Sequence, residues 1–135
     1  MSRSNAIQVA AAVIEYKGRY LITKRADDVH LAGYWEFPGG KREFGESLET
    51  CLVRELREEL RVEIKGPVRF MVIQHEYPDK TVELNFFFCS WVPGEIRLFG
   101  CADFRWVYPG ELSGFTFLPA DEPVVAELQE RAKVM

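Results

Sequence analysis

Three glutamates, Glu55, Glu58 and Glu59, stand at spacings i, i+3 and i+4 in the run Arg54-Glu55-Leu56-Arg57-Glu58-Glu59-Leu60. On a helix, residues so spaced share one face. Three crowded carboxylates repel one another unless a cation lies among them. Hard divalent ions with oxygen ligands, Mg²⁺ above all, meet that demand. The plainer reading is a solvated face of mixed charge, since Arg54, Arg57 and Arg61 are spaced to pair with the glutamates. The order of residues separates the two. A Gly39-Gly40 turn, an acidic residue at Glu46 and then the Arg-Glu run against a leucine stripe is more specific than a charge run.

A helix must present those glutamates, and the pattern supplies one from Ser47 to Leu60. Leu48, Leu52, Leu56 and Leu60 recur every four residues, with Val53 beside them. Ser47 is placed to cap its start, and Glu46 and Glu49 suit the positive end of its dipole. Upstream, Ile7 to Tyr16 and Tyr20 to Arg25 read as a hairpin turned at Lys17-Gly18, and Ala26 to Arg42 as loop. After the break at Gly66-Pro67, Val68 to Glu76 and Thr81 to Trp91 form a second hairpin around Pro78-Asp79. Phe104 to Val107 reads as a short strand, Pro109 to Leu112 as one helical turn and Pro123 to Ala132 as a closing helix. Strands mixed with helices in this order predict an α+β fold, a mixed sheet with helices on its faces.

The 135 residues predict a single domain spanning 1–135, and a hydrophobic share of 47% is enough for a core. A net charge of -4 argues against broad nucleic-acid binding, which needs a basic surface. Cys51, Cys89 and Cys101 have no metal-ligand spacing and read as free thiols. Met1 to Gln8 lacks the basic and apolar regions of a signal peptide, and no apolar run approaches the roughly 20 residues of a membrane span. The expectation is a cytoplasmic protein without membrane contact. A monomer and a homodimer are equally compatible with the sequence, since an apolar tail such as Val134-Met135 specifies no interface.

The segment GGKREFGESLETCLVRELREELRV, Gly39 to Val62, resembles the signature of the Nudix hydrolase superfamily. That signature is a glycine, five residues, a glutamate, seven residues, then Arg-Glu-aliphatic-x-Glu-Glu-x-Gly-aliphatic. Gly40, Glu46, Arg54, Glu55, Leu56, Glu58, Glu59 and Val62 fall on eight of its nine defined positions. Trp35-Glu36-Phe37-Pro38-Gly39-Gly40-Lys41 and Leu118-Pro119-Ala120-Asp121 are similar to the MutT-like, CTP pyrophosphohydrolase-like branch. The resemblance implies an α/β/α sandwich. It implies that Glu55, Glu58, Glu59 and the Gly39 carbonyl bind Mg²⁺, with Mn²⁺ as a substitute. It also makes Glu46 and Arg54 a structural ion pair.

Two positions depart from the family pattern. Arg61 replaces the second glycine of the signature, where a left-handed L-residue costs roughly 1 kcal/mol, so a locally altered helix end is expected. Gly100 stands six residues before Trp106, where many relatives carry a catalytic glutamate. The base is then either a nearby residue, Asp103 being the candidate, or one of the signature glutamates.

The resemblance implies a nucleoside triphosphate pyrophosphohydrolase that yields monophosphate and pyrophosphate. Oxidised or modified nucleotides such as 8-oxo-dGTP or (d)CTP derivatives are the leading substrates. The alternatives are an ADP-ribose or nucleotide-sugar diphosphatase and a non-catalytic nucleotide-binding regulator. Asp121 matches a base-reading position, and an ionised carboxylate there would only accept hydrogen bonds. Read from its neighbours alone, Asp121 equally suits an N-cap, with Pro123 in the first turn. Arg25 is either a nucleotide contact or a surface arginine. Trp35, Phe37 and Tyr77 either stack on a base or pack within the protein.

Overall fold

The computed structural model describes residues 6–134. The first five residues of the Met1–Gln8 stretch, and Met135 of the apolar tail, lie outside the described residues. Among the described residues the chain forms strands β1 (Ile7–Tyr16), β2 (Arg19–Arg25), β3 (Trp35–Glu36) and β4 (Gly39–Lys41), then helix α1 (Leu48–Leu60). Strands β5 (Glu63–Tyr77), β6 (Lys80–Val92) and β7 (Cys101–Val107) follow, then 3-10 turns at Pro109–Gly114 and Pro119–Asp121, and helix α2 (Glu122–Lys133). The sheet runs β3-β2-β1-β6-β5, with β4 paired to β1 and β7 to β2. The β1–β6 ladder is parallel and the other pairs are antiparallel, so the sheet is mixed as expected.

Period-two alternation in β1 divides the core. Ala10, Ala12 and Ile14 meet Leu52, Leu56 and Leu60 of α1 on one face. Ala11 and Val13 meet Val124 and Leu128 of α2 on the other. The leucine stripe is therefore what seats α1. Each fully buried leucine contributes on the order of 2 kcal/mol through its apolar area. At the start of α1, Ser47 accepts the Thr50 N–H on its Oγ at 3.0 Å, satisfying one orphan donor of the first turn.

Three sequence expectations are revised. The Ala26–Arg42 loop contains β3 and β4, pieces too short to carry a period. Gly66-Pro67 does not break the strand: β5 runs through it with a register shift between Lys65 and Val68, and Gly66 takes φ 63°. A bulge on an edge strand absorbs a proline that a central strand would reject. The helix end is also not altered by Arg61. That residue adopts the left-handed conformation itself, φ 57°, and its N–H bonds the Arg57 carbonyl as a glycine's would.

Candidate active site

The carboxylate face of α1 points away from the leucine stripe, toward the Gly39–Lys41 strand. Close approach there depends on missing side chains. A Cβ at Gly39 would overlap the Ala10 carbonyl, and one at Gly40 would overlap the Glu55 carboxyl. Glu55 thus lies directly against the glycine strand. Burial raises its pKa; Arg54 opposes the shift, and the charges of Glu58 and Glu43 add to it.

Arg54 is the hub of the helix start. Its Nη2 and Nε donate to Glu46 at 2.6 and 3.0 Å, forming a bidentate pair. Its Nη1 reaches Glu55 at 3.0 Å and Glu58 at 3.2 Å, and Nη2 also donates to the Lys41 carbonyl at 3.0 Å. These bonds pull the Glu46 pKa down to about 2. The loop is thereby tied to the helix by one guanidinium. Glu58, with 59% of its side chain exposed, is held by Arg54 alone.

Glu59 differs from its neighbours. It lines a cleft of about 570 Å³ and, among the described residues, has no ion-pair or side-chain hydrogen-bond partner. Burial, then the charges of Glu55, Glu36 and Glu58, push its pKa up to about 7. Among the described residues, no three His, Cys, Asp or Glu side chains converge into a ready metal cage. Arg54 lies between Glu55 and Glu58 instead. The donor set is nevertheless the oxygen-rich, mutually repelling kind that hard cations stabilise.

The remaining predicted residues surround the same cleft. Arg25 lines it, with Nη1 paired to Glu36 at 3.1 Å and Nε donating to the His30 carbonyl at 2.8 Å. The Phe37 ring is 3% exposed, stacked on Phe117 at 5.5 Å, so it packs as core and offers the cleft only its edge. Trp35 is likewise packed against Phe115 at 5.0 Å. Tyr77 is 45% exposed at the cleft rim, 4.7 Å from His75.

Asp121 ends the 3-10 turn beside α2, but its side chain makes no capping bond. Strand β3 draws the turn in, through Trp35 N–H to Thr116 and Leu118 N–H to Trp35. Asp121 Oδ2 then accepts the Phe37 N–H at 3.0 Å. The residue is 4% exposed, and burial pushes its pKa up to about 7. Burial therefore favours the acid form of Asp121, which donates as well as accepts.

Gly100 does face the site: a Cβ there would lie 3.7 Å from Glu59 Cγ and 3.8 Å from its Oε2. Asp103 is set aside as the base, because it pairs with Arg105 at 2.7 Å and accepts the Phe104 N–H. The sequence reading missed Glu36, His75 and Cys101, which also line the cleft. The i, i+2 alternation of β5, which puts His75 on the face of Tyr77, was the available signal.

A mixed-sheet sandwich that lays a glycine strand under an acidic helix, over a cleft of nucleotide size, defines a class of hydrolase. The NUDIX domain matches residues 9–127, and the chain belongs to that family. Over 124 residues it is 36% identical to an 8-oxo-dGTP diphosphatase of Escherichia coli K12, covering 91% of this chain and 96% of that protein. It is 34% identical over 119 residues to the CTP pyrophosphohydrolase of the same strain, covering 88% of each. The solution structure of the E. coli ORF135 protein superposes with a TM-score of 0.78 at 33% identity, covering 90% of this chain and 87% of that one.

Proposed function

We propose that the protein hydrolyses (deoxy)nucleoside triphosphates to the monophosphate and pyrophosphate with Mg²⁺, Mn²⁺ being able to substitute. The observation that carries the reading is Glu59: a half-buried carboxylate with no ion-pair partner among the described residues, in the wall of the cleft that Asp121 also lines. Glu55, Glu58, Glu59 and the Gly39 carbonyl would hold the metal. When bound, it offsets diphosphate charge and makes a water more acidic.

The other groups bind and orient. Arg25 and Lys41 bring positive charge to the cleft for phosphate oxygens. Arg54 keeps the loop on the helix. Gly100 contributes no carboxylate, so proton abstraction from the attacking water falls to a helix glutamate, and Glu59 is the one in contact with that position. At the other end, Phe37 N–H occupies Oδ2 of Asp121 and leaves Oδ1 to meet a base. That oxygen would accept from the amino or imino donors of cytosine, adenine, guanine or oxidised purines. Three free cysteines, all with pKa raised by burial, suit a reducing compartment such as the cytoplasm.

The test is a panel of ribo- and deoxynucleoside triphosphates with 8-oxo-dGTP, 5-methyl-dCTP and ADP-ribose, each incubated with Mg²⁺ and resolved by chromatography. Monophosphate and pyrophosphate from one triphosphate, abolished by chelator, is the expected result. Turnover of ADP-ribose alone would move the activity to nucleotide-sugar diphosphatases. Tight binding without turnover would make the protein a regulator.

A further inference from the structure

We propose that Arg61 and Phe99 form a clamp that positions Glu59, acting as positioning residues for the reaction. The inference rests on Glu59 being a working carboxylate of that site.

The last carbonyls of a helix have no partner within it. In α1 two of them are taken by the segment leading into β7. Arg97 N–H bonds the Leu60 carbonyl at 3.0 Å, and Phe99 N–H bonds the Glu59 carbonyl at 2.9 Å. A Cβ added at the next residue, Gly100, would lie 3.7 Å from Glu59 Cγ and 3.8 Å from its Oε2. One segment therefore bonds the Glu59 backbone and then runs beside its carboxyl end.

Ile96 seats the start of that segment on the α1 core, but burial does not hold its Phe99, which is 55% exposed. The ring instead lies beneath the Arg61 guanidinium, 4.6 Å from centroid to Cζ. Arg61 reaches it from a left-handed backbone, φ 57°, which a glycine would adopt without strain. The arginine is thus unfavourable for its own backbone and favourable for the ring. The two roles predict opposite results on substitution. If Arg61 only ends the helix, glycine should leave the enzyme equal or better. If it clamps, glycine should leave the fold sound and the site loose.

The experiment compares Arg61→Gly, Phe99→Ala, Phe99→Trp and Glu59→Gln for Mg²⁺-dependent turnover of 8-oxo-dGTP, Tm and amide exchange at Phe99. Both clamp-breaking variants are expected to lower kcat about two- to fivefold, the fold-change of a surface cation–π contact. KM should hold, Phe99 amide exchange should accelerate, and Tm should not fall in Arg61→Gly. Phe99→Trp, which keeps a face for the guanidinium, should restore kcat. Wild-type kcat in both clamp-breaking variants, or an effect on KM alone, would overturn the clamp. Wild-type turnover in Glu59→Gln would instead overturn the role of Glu59, and amide exchange would still report whether the contact orders the segment.

Discussion

Glu46, in the loop just before α1, and Glu59, in its last turn, show two fates of the same side chain. Glu46 is gripped by two nitrogens of Arg54 and ionises far more readily than usual, with a pKa of about 2. Glu59 has no such partner, is surrounded by other carboxylates and is pushed up to about 7. The first carboxylate is neutralised by a cation built into the chain, so it serves architecture. On the proposed function, the second is left for a cation that comes and goes and so would serve chemistry. Arg54 marks the boundary, since it also reaches Glu55 and Glu58.

The largest expected effect is on Glu59. Glu59→Gln should lower kcat by about 100-fold or more, within the range for losing a positioned acid or base. It should not lower Tm, because it removes a carboxylate that the fold disfavours when charged. A parallel loss of Tm, read by calorimetry, would place Glu59 with Glu46 as a structural residue. Next comes Arg54→Ala, which frees four carboxylates at once, Glu43, Glu46, Glu55 and Glu58. Both Tm and turnover should fall, turnover by about 10-fold or more, as for groups that orient metal ligands. Unchanged Tm would break the architectural half of the comparison.

Two smaller effects are read from pH. The folded pKa of Glu46 is depressed, so its contribution is present above the ordinary value of 4.5 and is lost as pH falls through about 2. Denaturation of Glu46→Gln beside the wild type should show a stability gap that is widest at neutral pH and closes in acid. Asp121 has the opposite sign. Its folded pKa of about 7 lies above the ordinary 3.8, so its contribution is full below 3.8 and is lost as pH rises through 7. Asp121→Asn keeps an acceptor for Phe37 N–H and cannot ionise. It should therefore gain stability relative to wild type as pH rises from about 3.8 to about 7, and a gap that stays flat would contradict the burial of that carboxylate.

Elements with long periods were legible from the sequence. The four-residue leucine repeat located α1, and Ser47 gave its first residue, because a capping bond is local. Spacing put Glu55, Glu58 and Glu59 on one face of that helix, but not which of them reaches the cleft: Glu59 lines it, while Glu55 and Glu58 bond Arg54. What stayed hidden depends on distant segments meeting. Strand β3 pairs with β2 and is also tied by Trp35 N–H to the carbonyl of Thr116, 81 positions away. Asp121 looked like an N-cap because its bond goes to Phe37, 84 positions away. Arg61 was expected to disturb the helix end, since the ring that receives its guanidinium belongs to another segment.

The contrast between the two glutamates is tested most directly by Mn²⁺ affinity, followed by electron paramagnetic resonance in the wild type, Glu59→Gln and Glu46→Gln. The account predicts a Mn²⁺ site in the wild type that Glu59→Gln weakens at least about 10-fold and Glu46→Gln weakens far less. Equal Mn²⁺ affinity in the wild type and Glu59→Gln, or no Mn²⁺ binding at all, would contradict it.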